Sequence, residues 1–538
     1  MPSSFRPGVR PLIWAIGVIS LGAQVGALFL PLIEPDEALY AVISRELSTG
    51  KSWAALTLLG EPWLDKPHFP FWCAALSMRL LGATEFAYRL PGFLFYLMGV
   101  AYVYWAGRRF FEAGVAQWAA LVTLTAYHLV FSNHDVRAEA HLVGLVTAAL
   151  FHLAAAGETR RVGHALAAGL FVGLSVITKG PFLFLCTAGA SIVASFIVKR
   201  RPGWVQVVVF SLALLVPVGA EMVALTLQHG GPHAIWALFW EGQSKRFSYS
   251  GTRIPGGGPL FYAHTLVWAF APWFPTLAVF VVASLYRLKS AGKAPHGSFA
   301  RATFFSSAAL TFILFSVTRF QLPYYFNFEM PMLALMVGTI IVQPSEARAR
   351  RVAGSLQFLF TGLLLLVVAA VFVFAEVSHW WVGLVLLFLP VAALPLLGSP
   401  DRAWHFSALA GCAAALALNF VFYPWLFRFE AGLNAGRTLP THDETHVHSV
   451  GYTSYAYYFY ASSRVHMLSL DEAAQWRLPQ GSFLYLNASD VPALTSSGFA
   501  FEVVERFQGA HISQPRLPFL NPATRGESLQ ETLVIRSR

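Results

Sequence analysis

The sequence predicts an all-α polytopic membrane protein of about 13 transmembrane helices, with interfacial helices in its first outward loop and a small C-terminal soluble α/β domain. Three observations carry this reading. The 538 residues are 56% hydrophobic, 15% aromatic and only 12% charged, which is more apolar surface than a water-soluble core could hide. Apolar runs recur at lengths of about 20 residues, enough to cross ~30 Å of hydrocarbon. These runs stop after Tyr423, where a polar stretch alternating strand-like segments (His446 to Tyr452, Phe483 to Asn487) with a helical one (Leu470 to Arg477) begins.

The first span, Pro11 to Ile33, follows Arg6 and Arg10, exceeds a signal-peptide core and lacks a small-x-small cleavage site, so it reads as uncleaved. Further spans start near residues 88, 114, 139, 164, 181, 204, 259, 302, 324, 353, 379 and 404. The run from His68 to Gly82 is apolar but short, and is broken by Pro67, Pro70 and Arg79, so it is assigned to the interface. Parity then follows. With a cytoplasmic N-terminus, Arg108-Arg109, Arg160-Arg161, Lys199-Arg200-Arg201, Arg287 with Lys289 and Lys293, and Arg348 with Arg350-Arg351 all fall in inward loops. This accounts for the net charge of +10 without nucleic acid as a partner. The chain divides into a membrane domain (1–423), with a first outward loop at 34–87 and an outward lid loop at 228–258, and an outer-face soluble domain (424–538).

The unusual polar residues gather on the outward side. They are Asp36 and Glu37, Asp65 and Lys66, Asp135, Arg137 and Glu139, Lys179, the loop from Gln228 to Gly258, and Arg319 with Tyr324 and Tyr325. Ionisable residues at span ends are costly to insert, so their convergence marks a functional site more readily than ordinary loop polarity does. Asp36 follows the first span and either caps an interfacial helix, whose apolar stripe is Leu39, Val42 or Ile43, and Leu47, or serves as a general base. Lys66 in Asp65-Lys66-Pro67-His68 could receive a phosphate or simply snorkel. The segment Arg319 to Tyr325 combines a cation with two hydroxyls, and Lys179 turns the corner before Gly180-Pro181. Cys73, Cys186 and Cys412 lie in apolar segments without metal-type spacing. His442, His446 and His448 are more readily a surface loop than a metal site. No Walker A or G-x-G-x-x-G is present, which excludes a nucleotide or nucleotide sugar as ligand.

In order, Pro35-Asp36-Glu37-Ala-Leu-Tyr-Ala, Asp65-Lys66-Pro67, Arg89-Leu90-Pro91, Arg137-Ala-Glu139, Thr178-Lys179-Gly180, Lys245-Arg246-Phe247 and Leu322-Pro323-Tyr324-Tyr325 resemble the GT-C class of integral membrane glycosyltransferases. The likeness is to the bacterial branch related to protein O-mannosyltransferases and the lipid A aminoarabinose transferase (ArnT-like), and runs to about Pro331. It implies a polyprenyl-phosphate sugar as donor and a lipid, glycan or protein acceptor, at the periplasmic face of a bacterial inner membrane. It implies Asp36 as base, with Glu139 and Asp65 as further site carboxylates. Lys66, Arg246 and Tyr325 would hold the donor phosphate, with Lys179 and Arg319 behind them. Relatives of the aminoarabinose type carry Glu-Lys-Pro-Pro and a histidine upstream of the Arg-Phe pair, where this chain has Asp65-Lys66-Pro67-His68 and Gln243. A divalent metal (zinc, or magnesium or manganese) would lose its imidazole ligand, leaving Asp65, His68 and His264 as weak candidates, so no cofactor is firmly expected. The competing class is a transporter or flippase of a lipid-linked or polar substrate, which would favour a midplane site in paired halves.

The basic loops generate a topology test. Single cysteines near Arg200 and Arg350 should be shielded from an impermeant thiol reagent in intact cells, and one near Lys51 labelled; the reverse pattern would overturn the side assignment.

Overall fold

The computed structural model describes residues 9–242, 244–245, 257–291, 298–342, 347–398, 401–439, 446–451, 454–461, 465–475 and 478–538. Helix α1 (Val9–Ala27) leads into α2 (Asp36–Thr49), a hairpin of β1 (Thr57–Leu58) and β2 (Glu61–Pro62), and α3 (Phe69–Leu81). With 13 residues, α3 is shorter than the about 20 needed to cross a bilayer. Helix α4 (Glu85–Phe110) starts at Thr84, whose hydroxyl accepts from Ala87 N–H at 3.2 Å, and carries Arg108 and Arg109 in its last turn, where the helix dipole favours cations.

The bundle continues through α5 (Ala113–Thr125), α6 (Tyr127–Phe131), α7 (Ala138–Thr159), α8 (Val162–Lys179), α9 (Phe182–Val198) and α10 (Trp204–His229). It closes with α11 (Phe261–Ala269), α12 (Phe274–Ala291), α13 (Phe299–Val317), α14 (Pro323–Val342), α15 (Ala347–Phe374), α16 (Trp380–Leu396) and α17 (Arg402–Phe429). Among the described residues eight helices are long and apolar enough to cross a membrane, accompanied by six shorter apolar ones. Helices α4 and α7 approach closely because glycines face the contact. A Cβ on Gly144 would lie 2.1 Å from the Phe95 carbonyl oxygen, and one on Gly99 2.8 Å from Val143 Cγ1.

The span expected to start near 259 is two helices, α11 and α12, parted at residues 270–273. Pro272 has no N–H to continue a ladder, and side chains of neighbouring helices bond at the break. Gln357 on α15 donates to the Pro272 carbonyl, and Trp273 Nε1 donates to Thr125 Oγ1 at 3.0 Å.

Beyond α17 come α18 (Ala431–Thr438), β3 (Val447–Val450), α19 (Tyr455–Ala461), β4 (Val465–Leu468), β5 (Phe483–Asn487), β6 (Phe501–Gly509) and β7 (Gln530–Ser537). The strands form one mixed sheet in the order β4-β3-β5-β7-β6, parallel across β4, β3 and β5 and antiparallel across β5, β7 and β6. All four residues of β3 are buried, as expected of a strand covered on both faces. Of the three histidines noted in the sequence, His442 lies outside the described residues, His446 is exposed and His448 is buried.

The sheet and the bundle share one apolar cluster, in which Phe422 and Trp425 of α17 sit with Tyr457 of α19 and Val534 of β7. Polar contacts reinforce it. Arg45 on α2 donates to the Phe459 and Tyr458 carbonyls, both at 2.8 Å, and Leu32 N–H donates to the Tyr460 hydroxyl at 2.9 Å. Glu34 accepts from Ser454 Oγ at 2.9 Å and from Ala456 N–H. Burial pushes the Glu34 carboxyl up to about 7 from its ordinary 4.5, against the pull of these donors.

This yields a signed pH dependence. Between about 4.5 and 7 the folded form keeps a proton on Glu34 that the unfolded form has lost, so stability is greatest below 4.5 and falls as pH rises through 7. Glu34→Gln should remove that component; an unchanged pH slope in hydrogen exchange at 454–461 would refute it.

Candidate active site

The first turn of α2 begins the site. Its two acids complement the helix dipole but take different partners. Glu37 is fully buried and bridges to Arg89 on α4 through two parallel bonds, Nε to Oε1 at 2.7 Å and Nη2 to Oε2 at 2.8 Å. The same carboxylate accepts from Ile33 N–H at 2.8 Å and Val136 N–H at 3.1 Å. Arg89 Nη2 reaches the Pro31 and His134 carbonyls at 2.8 and 3.0 Å, and Nη1 reaches the Leu30 carbonyl. Four chain segments therefore meet at one buried ion pair.

Asp36, one residue earlier, points the other way, into a cavity of about 1180 Å³. It does not cap α2, because the N-cap position is Pro35 and makes no side-chain bond. The capping expectation therefore fails; its carboxylate instead pairs with Arg137, which also grips Asp135 through Nε to Oδ1 at 3.0 Å and Nη2 to Oδ2 at 2.9 Å. The Arg137 guanidinium lies over the Tyr324 ring, 4.4 Å from its centre. Deeper in, Glu139 at the start of α7 pairs with Lys179 at the end of α8, both almost fully buried, and the Lys179 ammonium sits 3.6 Å from the centre of the Tyr325 ring. Lys66 pairs with its neighbour Asp65 at the rim, where the Asp65 side chain is 64% exposed. Tyr40, one turn along α2 from Asp36, is raised well above the ordinary phenol range by burial and by the Asp36 and Asp65 charges, so it faces the cavity as a neutral hydroxyl.

The lining also has an apolar part, with Val367, Val371 and Phe372 of α15 and Leu418, Phe422 and Leu426 of α17. Residues His511 to Pro515 of the C-terminal unit complete the lining. The cavity is thus lined by paired charges, by apolar side chains of α15 and α17, and by residues of the C-terminal unit.

Of the residues singled out in the sequence, the structure brings Asp36, Asp65, Lys66, Glu139, Lys179 and Tyr325 to this cavity. Arg319 is not among its lining residues; it is exposed on the turn between α13 and α14, where buried Gln321 bonds the Phe315 carbonyl and directs the chain inward only after it. Arg246 and Gln243 lie outside the described residues, although Gly242 and Lys245 line the cavity. The candidate metal set does not assemble. His68 has Nδ1 on Glu221 at 2.9 Å and Nε2 on the Ala54 carbonyl at 3.1 Å, and His264 is exposed on α11 against Phe261. Among the described residues no three His, Cys, Asp or Glu side chains gather as a metal site. Sequence reasoning noted Asp135 and Arg137 as outward polar residues without choosing them. Their alternation with Glu139, every second residue before a span, was the available signal.

Residues 65–220 match the dolichyl-phosphate-mannose-protein mannosyltransferase family model. The solved structure of ArnT from Cupriavidus metallidurans bound to undecaprenyl phosphate superimposes with a TM-score of 0.77 at 19% identity, covering 97% of each chain. The chain has the ArnT-like GT-C fold. The apo oligosaccharyltransferase of Archaeoglobus fulgidus is a more distant neighbour, with a TM-score of 0.53 at 12% identity over 86% of this chain and 64% of that one. Among curated relatives, the undecaprenyl phosphate-alpha-4-amino-4-deoxy-L-arabinose arabinosyl transferase of Yersinia enterocolitica is 26% identical over 63% of each chain. A second enzyme of that description from Sodalis glossinidius is 27% identical over 76% of each. The match thus spans somewhat under two thirds of the Yersinia relative's length.

The Glu37–Arg89 pair can be tested directly. Arg89→Met leaves a buried carboxylate without its counter-ion and should cost about 3–5 kcal/mol, while adding Glu37→Leu should recover much of it. Thermal unfolding in detergent reads the effect; wild-type stability of Arg89→Met would remove the pair as an anchor.

Proposed function

We propose that this chain is a glycosyltransferase that moves a monosaccharide from a polyprenyl-phosphate-linked donor to an acceptor on the outer, periplasmic face of a bacterial inner membrane. The acceptor class is lipid A or lipopolysaccharide, another envelope glycan, or a protein. The observation that carries the reading is the mixed lining of one cavity, where Asp36 and the cations Lys66 and Lys179 occur together with apolar side chains suited to a lipid. The names of the curated relatives, and the undecaprenyl phosphate bound to the Cupriavidus neighbour, support the same donor.

In this reading Asp36 takes the proton from an acceptor hydroxyl, whose oxygen attacks the anomeric carbon. The bond between that carbon and the phosphate oxygen breaks, and polyprenyl phosphate leaves with both electrons. Charge grows on the phosphate as the bond lengthens, so fixed cations stabilise the transition state more than the ground state. Lys66 and Tyr325 are assigned to that phosphate together with Arg246, which lies outside the described residues, and Lys179 stands behind Tyr325. Glu139 holds Lys179, and Arg137 holds Asp36 beside Asp135.

Two substitutions separate the roles. Asp36→Asn keeps shape but cannot take a proton, so transfer should fall about 10²-fold or more with folding intact. Lys66→Ala should weaken donor binding as well as turnover. The assay is transfer from a radiolabelled polyprenyl-phosphate sugar by purified protein, normalised to folded protein. Near wild-type rate in Asp36→Asn removes it as the base; no turnover by wild-type protein with any such donor favours the transporter reading.

A further inference from the structure

Helix α10 is among the most apolar in the bundle and largely exposed to its surroundings, yet it carries Glu221 fully buried. An acid inside such a helix is expensive and is retained where it has a partner and a task. Here the partner is His68, two residues past Lys66. Both Glu221 oxygens accept from the His68 backbone N–H, at 3.3 and 3.1 Å, and Oε1 lies 2.9 Å from His68 Nδ1. The other ring nitrogen must donate, because it faces the Ala54 carbonyl at 3.1 Å. The imidazole is thus held at both ends, and Glu221 holds it. Two turns along α10, on the same face, Gln228 Nε2 donates to the Leu56 carbonyl at 2.7 Å. On the other side of the loop, Trp72 Nε1 donates to the Trp53 carbonyl at 2.7 Å. The stretch before α3 is therefore tied at residues 53–56 and 68, and Lys66 stands at the cavity between these ties.

We propose that Glu221 and His68 are positioning residues that fix the Asp65–His68 turn, and with it the Lys66 ammonium, at the place where the donor phosphate binds. This rests on the reading of Lys66 as a phosphate-holding residue. A one-helix anchor is suited to the task because the lysine stem is flexible and an ammonium displaced by about an ångström loses most of its advantage.

The test must separate positioning from simple stability. His68→Phe and Glu221→Leu each leave a polar group without its partner and should unfold more readily. The double variant removes both polar side chains and should recover part of the lost midpoint, the residue-68 N–H and the Ala54 carbonyl alone losing partners. Binding of polyprenyl phosphate by purified protein, and the KM and kcat for a lipid-phosphate sugar, are measured for the double variant beside Lys66→Ala. The expected result is a Kd about 10-fold weaker in the folded double variant, with KM for donor rising more than kcat falls. Wild-type affinity in the double variant, with Lys66→Ala weakened, overturns the positioning inference and leaves the Lys66 reading standing. Wild-type affinity in Lys66→Ala overturns that reading and the inference with it.

Discussion

The buried pair between Glu37 and Arg89 is the constraint on which the rest of the site depends. Its groups bond the end of α1, the start of α2, the body of α4 and the 134–136 segment at one point. A buried ion pair is weak evidence for net stability, because desolvation consumes most of the attraction. What it does supply here is register. With Glu37 held on one side of α2, the preceding Asp36 emerges on the other, and with Val136 N–H held by Glu37, Asp135 and Arg137 flank it. The proposed base and its guanidinium neighbour are thus placed by atoms that never face the cavity.

The same economy governs the C-terminal unit. Its sheet is folded on its own apolar cluster, but α19 and the residues after β6 are committed to the bundle through Glu34, Arg45 and the shared cluster around Trp425. Because residues 511–515 line the cavity, the site belongs to both parts of the chain, and neither part alone would enclose it. The basic ends of α4 and the Arg160-Arg161 turn between α7 and α8 lie at the far end of the same helices.

Much of this was legible in the sequence, because a bilayer permits little besides apolar helices and forces polar residues to their ends. The short α3 and the gathering of Asp36, Lys66, Glu139, Lys179 and Tyr325 at helix ends around one cavity follow from that rule. Other features depend on tertiary partners and left weaker traces. Asp36 also read as a cap, and only the presence of Pro35 at that position and the direct pairing with Arg137 decide against it. Arg319 carried the charge expected of a phosphate clamp, yet side-chain direction on a turn is not encoded by type. His68 read as a stray ligand, because its partner Glu221 is 153 residues away. The overlooked signal was Glu221 itself, the single acid in the span from Trp204 to His229.

The charged groups that line the cavity come to four acids, Asp36, Asp65, Asp135 and Glu139, and four bases, Lys66, Arg137, Lys179 and Lys245, among the described residues. A chamber balanced in this way projects little field toward the surrounding lipid and tolerates being empty. Its ledger changes when an anion enters, since any cation that turns to the newcomer leaves a carboxylate behind with its charge uncancelled. A phosphate seated at this wall would therefore compete with the carboxylates for the same cations.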